Sequence, residues 1–230
     1  MAGRRIWITR AQPGAELTAV RVRALGHEAF LAPLLTVCPL ADVVVDLTGV
    51  SALAFTSANG VAAYVAVTTD RSQRVFAVGA ATAQAVRAAG FRNVLSADGD
   101  VEALARGIAA RKRDLTGCVL HPGAAQLAGD LVGALEGHGI QARRLILYDT
   151  VANTLSPEVL EALPGVDTVL LHSPKAAEVL AELTKDHPLP RLRALCLSKA
   201  VMNPLAKTKF SEKVAAPFPL EAALLNLIDR

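Results

Sequence analysis

The sequence predicts an α/β protein built from two similar doubly wound parallel-sheet domains. Three observations support this prediction. Short, continuous apolar segments alternate with amphipathic helical stretches, the junctions are marked by Gly, Pro and Ser, and the same plan occurs twice in 230 residues. Continuous apolar strands are typical of parallel sheets covered by helices on both faces, and a chain of this length can bury two small cores.

The first repeated segment is a strand, a loop with Pro and Gly, a helix and a second strand. A glycine follows each of its two helices, as expected where a helix ends in the left-handed conformation. Its first copy contains Arg4–Thr9, Ala15–Leu25 and Ala29–Val37, and its second copy contains Cys118–Leu120, Pro122-Gly123, Gln126–Leu135 and Arg143–Tyr148.

Two further segments each place a strand, a short polar loop and a helix in succession. In one of them a Ser follows the strand, at the position that caps a helix N-terminus. That segment covers Ala52–Phe55 with Val61–Val67, and again Asp167–Leu171 with Ala176–Leu183. The other covers Val75–Val78 with Ala80–Ala89, and again Ala194–Leu197 with Lys199–Ala206, and the short strands Asn93–Leu95 and Lys213–Ala215 follow.

Composition excludes several classes of protein. The formal net charge is only +3, and Arg111-Lys112-Arg113 is the one dense basic cluster, so no nucleic-acid-binding surface is expected. No apolar run reaches the ~18 residues that span a bilayer, and the N-terminal segment lacks the apolar stretch of a signal peptide. The three cysteines have neither ligand nor redox spacing. We therefore expect a cytoplasmic protein that binds neither nucleic acid nor membrane.

Polar residues and glycines cluster where the predicted strands end. In open parallel sheets, ligands bind beyond the carboxyl ends of the strands, where N–H and hydroxyl groups can donate hydrogen bonds to carboxylates or phosphates. Ser57 and Ser173 would cap their helices with or without a ligand, but the grouping of all these loops at equivalent strand ends favours an anion site. The loops are Thr9-Arg10, Thr56–Gly60, Gly79–Thr82, Pro122–Ala124, Ser173–Lys175 and Ser198-Lys199.

Several motifs of cofactor-dependent and covalent catalysis are missing. The sequence has no GxGxxG after its first strand and no Walker loop, and Thr56–Gly60 lacks the glycine flanks of a nucleophile elbow. No histidine or carboxylate set has metal-ligand spacing. If the chain is an enzyme, we expect it to use no cofactor and no metal, and to act by holding its substrate in a reactive conformation.

The connectivity of the two domains stays open at this point. One division places the boundary near residue 114, where Arg111–Asp114 forms a polar linker. The other lets the chain leave the first domain after Leu35 and return near Val151. Sequence periodicity does not choose between them.

Several motifs resemble the uroporphyrinogen-III synthase family. The resemblance is collinear over nearly the whole chain, and its most specific part is the FTSANG stretch followed by the VGAAT stretch. The matching motifs are Ile8-Thr9-Arg10, Ala32-Pro33-Leu34-Leu35, Phe55–Val61, Val78–Ala83, Leu145–Thr150 and Ser173-Pro174.

The resemblance implies a discontinuous first domain. Residues 1–36 would join 152–230, residues 40–147 would form the second domain, and 37–39 with 148–151 would be the connectors. These connectors would form a two-stranded antiparallel pair, and each domain would hold one copy of every repeated segment.

The resemblance also implies a reaction. The substrate would be hydroxymethylbilane, an anionic linear tetrapyrrole, which would be cyclised to uroporphyrinogen III with inversion of the last pyrrole ring and loss of water. The enzyme would act as a lyase of porphyrin and haem biosynthesis, without a cofactor. We expect it to be a monomer that makes transient contact with hydroxymethylbilane synthase.

Residue roles follow from the matching motifs. Tyr148 would be the acid that assists departure of the hydroxyl, since a phenol can donate a proton at neutral pH, although it could instead simply pack at the connector. The residues expected to bind substrate are Thr9, Arg10, Ser57, Asn59, Gly60, Val61, Gly79, Thr82, Ser173, Pro174, Lys175 and Ser198.

One loop departs from the family pattern. Leu197–Val201 replaces the glycine and threonines usual after that strand, so Ser198 or Lys199 would take the place of a threonine contact. Two alternatives also remain: a non-catalytic, bilobed anion-binding, tetrapyrrole-binding or regulatory protein of the same fold, and a dinucleotide-dependent enzyme, which the absent glycine fingerprint disfavours.

Overall fold

The chain folds into two compact units. In the computed structural model, residues 3–97, 99–127 and 129–230 are described. The discontinuous unit combines Met1–Thr36 with Val151–Arg230, and the continuous unit is Val37–Thr150. The elements are β1 (Arg5–Ile8), α1 (Gly14–Ala24), β2 (Glu28–Leu31), β3 (Leu35–Pro39), β4 (Val50–Phe55), α2 (Ala58–Val67), β5 (Arg74–Ala77), α3 (Ala80–Ala88), β6 (Val94–Ser96), α4 (Val101–Ala109), β7 (Cys118–Ala124), α5 (Leu131–Gly137), β8 (Ala142–Ala152), α6 (Pro157–Ala162), β9 (Thr168–Leu171), α7 (Pro174–Asp186), β10 (Arg193–Cys196), α8 (Lys199–Met202), β11 (Glu212–Ala215) and α9 (Glu221–Leu225). Within the described ranges, no helix combines the length and apolarity needed to cross a membrane.

The sheet of the discontinuous unit has the strand order β11-β10-β9-β1-β2. Its strands pair in parallel, with Trp7 opposite Val169. Successive side chains point to opposite faces of a strand, so Trp7 packs in one core cluster while Ile6 and Ile8 pack in another. Both faces are buried, which is why these strands are apolar throughout.

The sheet of the continuous unit has the strand order β3-β8-β7-β4-β5-β6. Strand β4 again divides its side chains between two cores, with Leu53 and Phe55 on one face and Ala52 and Ala54 on the other. The pairs that join β4 through β8 are parallel. The predicted α/β class with two similar, mostly parallel sheets is confirmed.

The two sheets repeat one topology. When the edge strand β3 is left out and the first sheet is listed in reverse, the strand orders are β2-β1-β9-β10-β11 and β8-β7-β4-β5-β6. The strand β1 therefore corresponds to β7, and β9 corresponds to β4. The repeated segments of the sequence occupy equivalent places in the two sheets.

Strands β3 and β8 run across the boundary between the units. The amide of Leu40 donates to the carbonyl of Leu147, and the amide of Asn153 donates to the carbonyl of Leu34, each at 2.9 Å. Because the numbering rises along one strand as it falls along the other, the pair is antiparallel.

The prediction of a single strand over Ala29–Val37 is wrong. The structure ends β2 at Leu31 and begins β3 at Leu35. Pro33 has no amide hydrogen for a ladder, and the carbonyl of Ala32 instead accepts a 2.7 Å hydrogen bond from Trp7 Nε1. The interruption separates one strand that pairs with β1 from another that pairs with β8.

Three other element boundaries also differ from the prediction. Pro122-Gly123 belongs to strand β7 and not to a loop. Pairing of β7 with β4 ends at Leu120, so Pro122 lies where one edge of the strand needs no amide donor. Helix α5 begins at Leu131, capped by Asp130. Helix α8 ends at Met202, because Pro204 has no amide hydrogen to continue its hydrogen-bond ladder.

Candidate active site

The candidate residues lie around one topological feature in each unit. From β1 the chain proceeds through α1 to β2, whereas from β9 it proceeds through α7 to β10, in the opposite direction along the sheet. The β1/β9 boundary is therefore a topological switch point, the usual place for a ligand in an open α/β sheet. By the same reasoning, β7 and β4 form the switch point of the continuous unit.

Ser57 organises the switch point of the continuous unit. Its hydroxyl oxygen accepts a hydrogen bond of 3.1 Å from the amide of Gly60, and its carbonyl accepts one of 3.3 Å from Val61. A helix N-terminus leaves its first amides without intrahelical acceptors. The Ser57 hydroxyl satisfies one of them, that of Gly60, and the Val61 bond is the first of the regular helical ladder. The amides of Ala58 and Asn59 have no acceptor within the described ranges. Two amides thus remain able to bind an anion at this helix end.

Tyr148 lies at the same helix end. Its hydroxyl is 3.2 Å from the hydroxyl of Ser57, and its side chain is only 5% exposed. The amide of Ala125 donates to the carbonyl of Tyr148 at 2.8 Å, which fixes the strand at this position. Burial raises the pKa of Tyr148, although the hydrogen bond with Ser57 opposes the shift. The phenol is therefore protonated at neutral pH and can donate a proton.

Gly79 begins a second helix beside this site. It occupies the cap position of α3 and provides no side-chain cap for the first turn. A Cβ built at Gly79 would meet no atom within 4 Å. Open space thus adjoins a set of uncapped amides, which is the geometry that suits a carboxylate. Thr82, in the first turn, is 6% exposed and contributes to the walls of this helix end.

His121 was not identified from the sequence. It lies among the buried residues of β7, is 1% exposed, and places Nε2 3.2 Å from the hydroxyl of Thr56. Its Nδ1 has no hydrogen-bond partner in the described part of the chain. Burial, assisted by the positive charge of Arg144 and opposed by Asp130, lowers the pKa of His121 to about 4. The neutral ring therefore bridges β7 and β4 at the switch point.

The switch point of the discontinuous unit is bridged in a similar way. The side chain of Thr9 is fully buried, and its hydroxyl donates to the carbonyl of Leu170 at 2.7 Å. Thr9 thereby ties β1 to β9 directly below the strand ends. This hydrogen bond helps to hold the two strands in register.

Four predicted residues lie at the starts of helices in this unit. Ser173 caps α7 by accepting from the amide of Ala176 at 3.2 Å, and Pro174 takes the first helical position, where a missing amide hydrogen costs nothing. Lys175 follows in the first turn and is half-buried. Ser198 caps α8 in the same way, through the amide of Val201 at 3.4 Å. All of these residues lie at the carboxyl ends of β9 and β10.

Arg10 belongs to a polar cluster that sequence reasoning missed. Its Nη1 lies 3.4 Å from both Glu221 Oε1 and Thr18 Oγ1. Arg21 and His172 also face the Glu221 carboxylate. Burial raises the pKa of Glu221, but the nearby His172 side chain, the hydrogen bond from Thr18 and the positive charge of Arg10 outweigh it and lower the pKa to about 2. No local sequence signal connects these residues, since they come from four separate elements.

The site chemistry is that of an anion receptor with one proton donor. In the continuous unit its groups are helix-end amides, hydroxyls and the phenol of Tyr148, and in the discontinuous unit they are hydroxyls and the guanidinium of Arg10. The described residues bring no three His, Cys, Asp or Glu side chains together in a way that could hold a metal ion. Such a donor set is suited to an organic substrate with several carboxylates.

The duplicated doubly wound sheet, with polar loops at both switch points, defines the class of this protein as a two-unit α/β protein. The family model for uroporphyrinogen-III synthase HemD matches residues 16–226. The chain therefore belongs to the uroporphyrinogen-III synthase family, and it is a cyclising lyase of tetrapyrrole and haem biosynthesis.

Solved structures support the fold. Uroporphyrinogen-III synthetase from Helicobacter pylori 26695 is similar with a TM-score of 0.69 and 17% identity, covering 98% of this chain and 97% of the other. A mutant uroporphyrinogen III synthase from the extremely thermophilic bacterium Thermus thermophilus is similar with a TM-score of 0.54 and 17% identity, covering 99% and 98%. A search of curated protein sequences gave no significant match. At such low identity these structures establish the shared fold, and the family model establishes the membership.

Proposed function

We propose that Tyr148 and the strand-end loops of both units carry out the cyclisation of hydroxymethylbilane to uroporphyrinogen III. The observation that carries the proposal is the position of the Tyr148 hydroxyl, 3.2 Å from Ser57 Oγ at the N-terminus of α2. A protonated phenol and free helix-end amides occur there together. The first can assist a leaving hydroxyl, and the second can hold a carboxylate of the same substrate.

The reaction begins with cleavage of a carbon–oxygen bond. Tyr148 transfers its proton to the terminal hydroxyl of the bilane, which leaves as water and generates an azafulvene cation. The last pyrrole ring attacks this cation through its substituted carbon and forms a spiro intermediate. The intermediate opens and closes again with that ring inverted, and the ring carbon then loses a proton, which restores the phenol. One water molecule is lost, and no electrons are exchanged.

Selectivity requires control of the substrate conformation. Uncatalysed closure gives the uninverted isomer, so the protein must stabilise the transition state for attack through the substituted carbon. The protein can exert this control by binding the acetate and propionate groups of the substrate. Each charge-assisted contact is worth roughly 1.5–3 kcal/mol, so a few of them are enough to favour one folded conformation of the bilane.

The continuous unit offers the first set of these contacts. The free amides at Asn59 and the uncapped start of α3 at Gly79 bind carboxylates, and the Asn59 side chain is partly exposed beside them. The starts of α2 and α3 are supported by buried residues, which are Gly60, Val61 and Thr82. Ser57 contributes to both the local structure and the chemistry, because it caps α2 and its hydroxyl contacts that of Tyr148.

The discontinuous unit offers the second set. Arg10 supplies a charged donor, and Lys175 and Ser198 are partly exposed at neighbouring strand ends. Ser173 and Pro174 set the start of α7, and Thr9 holds the adjoining strands. These contacts bind carboxylates and take no part in proton transfer.

The proposal includes the setting of the reaction. A cytoplasmic location is supported by three free cysteines, which are stable in a reducing compartment. Transient contact with hydroxymethylbilane synthase follows from the reactivity of the bilane, which closes spontaneously to the wrong isomer. The duplicated site needs only one copy of the chain, and we therefore propose a monomer.

A coupled assay tests the function. Hydroxymethylbilane is generated in place by its synthase, the folded protein is added, and the oxidised uroporphyrin isomers are separated. We expect the type III isomer to predominate. Only the type I isomer, from a sample that is folded by circular dichroism, would contradict the activity and leave an anion-binding or regulatory protein.

A further inference from the structure

Glu221 is a buried acidic residue to which the proposed reaction assigns no role. It is the first residue of α9, and Leu224 and Leu225 of this helix pack into the core against Ile6 and Ile8. The helix is thus fixed on the sheet, and its first residue is carried to the end of β1. Only 17% of the Glu221 side chain is exposed, which is low for a carboxylate.

The Glu221 carboxylate is the centre of a hydrogen-bonded cluster. Thr18 and Arg21, both on α1, donate to its two oxygens. His172, which follows β9, lies with Nε2 3.7 Å from Oε1. Arg10, which follows β1, lies with Nη1 3.4 Å from Oε1. One carboxylate therefore joins the ends of β1 and β9 to helix α1.

The charges of this cluster do not cancel. Arg10 and Arg21 are cationic and Glu221 is anionic, while burial lowers the pKa of His172 and keeps that ring neutral. Among the described residues, the cluster thus carries one excess positive charge. The hydrogen bonds that Arg10 makes to these residues all use Nη1, so its remaining nitrogens keep the capacity to donate to an anion.

Gly14 supplies an independent observation on Arg10. A Cβ built at Gly14 would lie 2.5 Å from Arg10 Nε and 2.7 Å from Arg10 Cζ. The absence of a side chain at the start of α1 is therefore what allows the guanidinium to lie against the helix. Glu221 holds the guanidinium on one side, and Gly14 leaves room for it on the other.

We infer that Glu221 is a positioning residue for Arg10, which it holds, together with the space at Gly14, as a fixed receptor for a substrate carboxylate. This inference rests on the proposed function of Arg10 in binding hydroxymethylbilane. Fixing a guanidinium before the substrate arrives reduces the conformational entropy lost on binding. Glu221 itself touches no reacting atom, so its loss should act on substrate affinity and leave the chemical step unchanged.

The test is a double-mutant cycle in the full chain. Glu221→Gln removes the charge and keeps the shape, Arg10→Lys keeps the charge and removes the planar fork, and Gly14→Ala displaces the guanidinium without touching its partners. Glu16→Gln is the matched control, because Glu16 is an exposed carboxylate on α1 that pairs with Arg23. KM and kcat for the type III product are measured for each variant and for the double variant Arg10→Lys with Glu221→Gln.

We expect Glu221→Gln and Gly14→Ala each to raise KM about tenfold, with kcat within about twofold of the wild type. The KM of the double variant should be no higher than that of Arg10→Lys alone, because both substitutions disrupt the same fixed arrangement of the Arg10 guanidinium. Glu16→Gln should behave as the wild type. An unchanged KM in Glu221→Gln and Gly14→Ala, or effects of Glu221→Gln and Arg10→Lys that multiply, would overturn the inference.

A second readout separates this inference from the function on which it rests. In proton–nitrogen correlation spectra, the Arg10 Nε–H signal, identified by its absence in Arg10→Lys, should be sharp in the wild type and broadened in Glu221→Gln and Gly14→Ala. An equally sharp signal in both variants overturns the positioning role. Absence of type III product from the wild type overturns the function instead. Gly14→Ala keeps the test decisive even if Glu221→Gln unfolds, because alanine is favourable within a helix.

Discussion

The hydroxyl of Tyr148 lies 3.2 Å from the hydroxyl of Ser57, at a separation of 91 positions in the chain. Ser57 already accepts a hydrogen bond from the amide of Gly60, so the helix cap and the phenol belong to one hydrogen-bonded chain. A proton on Tyr148 is thus oriented by a group whose own position is set by helix α2. Because this arrangement combines stability with chemistry, the two effects can be separated by matched substitutions.

Replacement of Tyr148 by Phe should slow the reaction without unfolding the protein. Loss of a general acid reduces kcat, and we expect a decrease of about 10- to 100-fold with little change in KM. Tyr64→Phe is the control, because the Tyr64 hydroxyl is buried without a hydrogen-bond partner among the described residues. That change should leave both turnover and stability near the wild-type values. Full turnover by Tyr148→Phe would remove the acid role.

Ser57→Ala should affect both stability and rate. Loss of the cap of α2 is expected to lower the free energy of unfolding by about 1 kcal/mol, and loss of the contact to Tyr148 is expected to lower kcat. Asp100→Ala removes the cap of α4, which donates no group to the site, and should cost a similar amount of stability alone. Urea unfolding measures the effect on stability, and the isomer assay measures the effect on rate. If Ser57→Ala and Asp100→Ala have the same kcat, Ser57 acts only as a helix cap.

Gly79→Ala should weaken substrate binding without weakening the fold. A methyl group at Gly79 meets no protein atom within 4 Å, so we expect stability within about 0.5 kcal/mol of the wild type. If a substrate carboxylate occupies that space, KM should rise about tenfold while kcat changes little. Gly137→Ala, also free of contacts within 4 Å, is the control. An unaltered KM in Gly79→Ala would place the substrate elsewhere.

Stability should fall in mild acid because of His121. Its pKa is lowered in the fold to about 4, whereas the unfolded chain takes up a proton near the ordinary value of about 6.5. The unfolded state therefore binds more protons between these values, and stability that is complete above about pH 6.5 is lost as the pH falls toward about 4. Between pH 7 and pH 5 we expect a loss of about 2 kcal/mol.

Urea unfolding of His121→Gln at pH 7 and pH 5 checks this contribution. The variant should lose less stability between the two pH values than the wild type, while His138→Gln, at an exposed position, should follow the wild type. His172, whose pKa is also lowered by burial, leaves a residual dependence of the same sign. An identical pH dependence in wild type and His121→Gln would assign the effect to other groups.

The duplicated sheet could be predicted from the sequence because its signals are local. Continuous apolar strands and the serine or glycine that follows each of them are visible within a few residues, and this is why the helix caps at Ser57 and Ser173 could be placed. Pro122 misled the prediction, since proline usually marks a loop and here lies in β7 where the strand pairs with β8 but no longer with β4.

The parts of the site that could not be predicted depend on contacts between distant positions. Thr18 and Glu221 are 203 positions apart, and Thr56 and His121 are 65 apart. A lone buried histidine or a glutamate near the end of the chain has no local pattern that distinguishes it from a surface residue. Only the strand order, which sets β1 beside β9 and β7 beside β4, brings these side chains together.

The discontinuous unit has a consequence for the order in which the protein is made. Strand β1 lies between β2 and β9, and the Thr9 hydroxyl donates to the Leu170 carbonyl, which comes 161 positions later. On the ribosome, every residue of the continuous unit is synthesised before β9 emerges, so that unit can complete its core while the first strands remain without their central neighbour. The cluster of Arg10 and Glu221 consequently forms only after the continuous unit has been synthesised, and nascent chains lack it until helix α9 emerges.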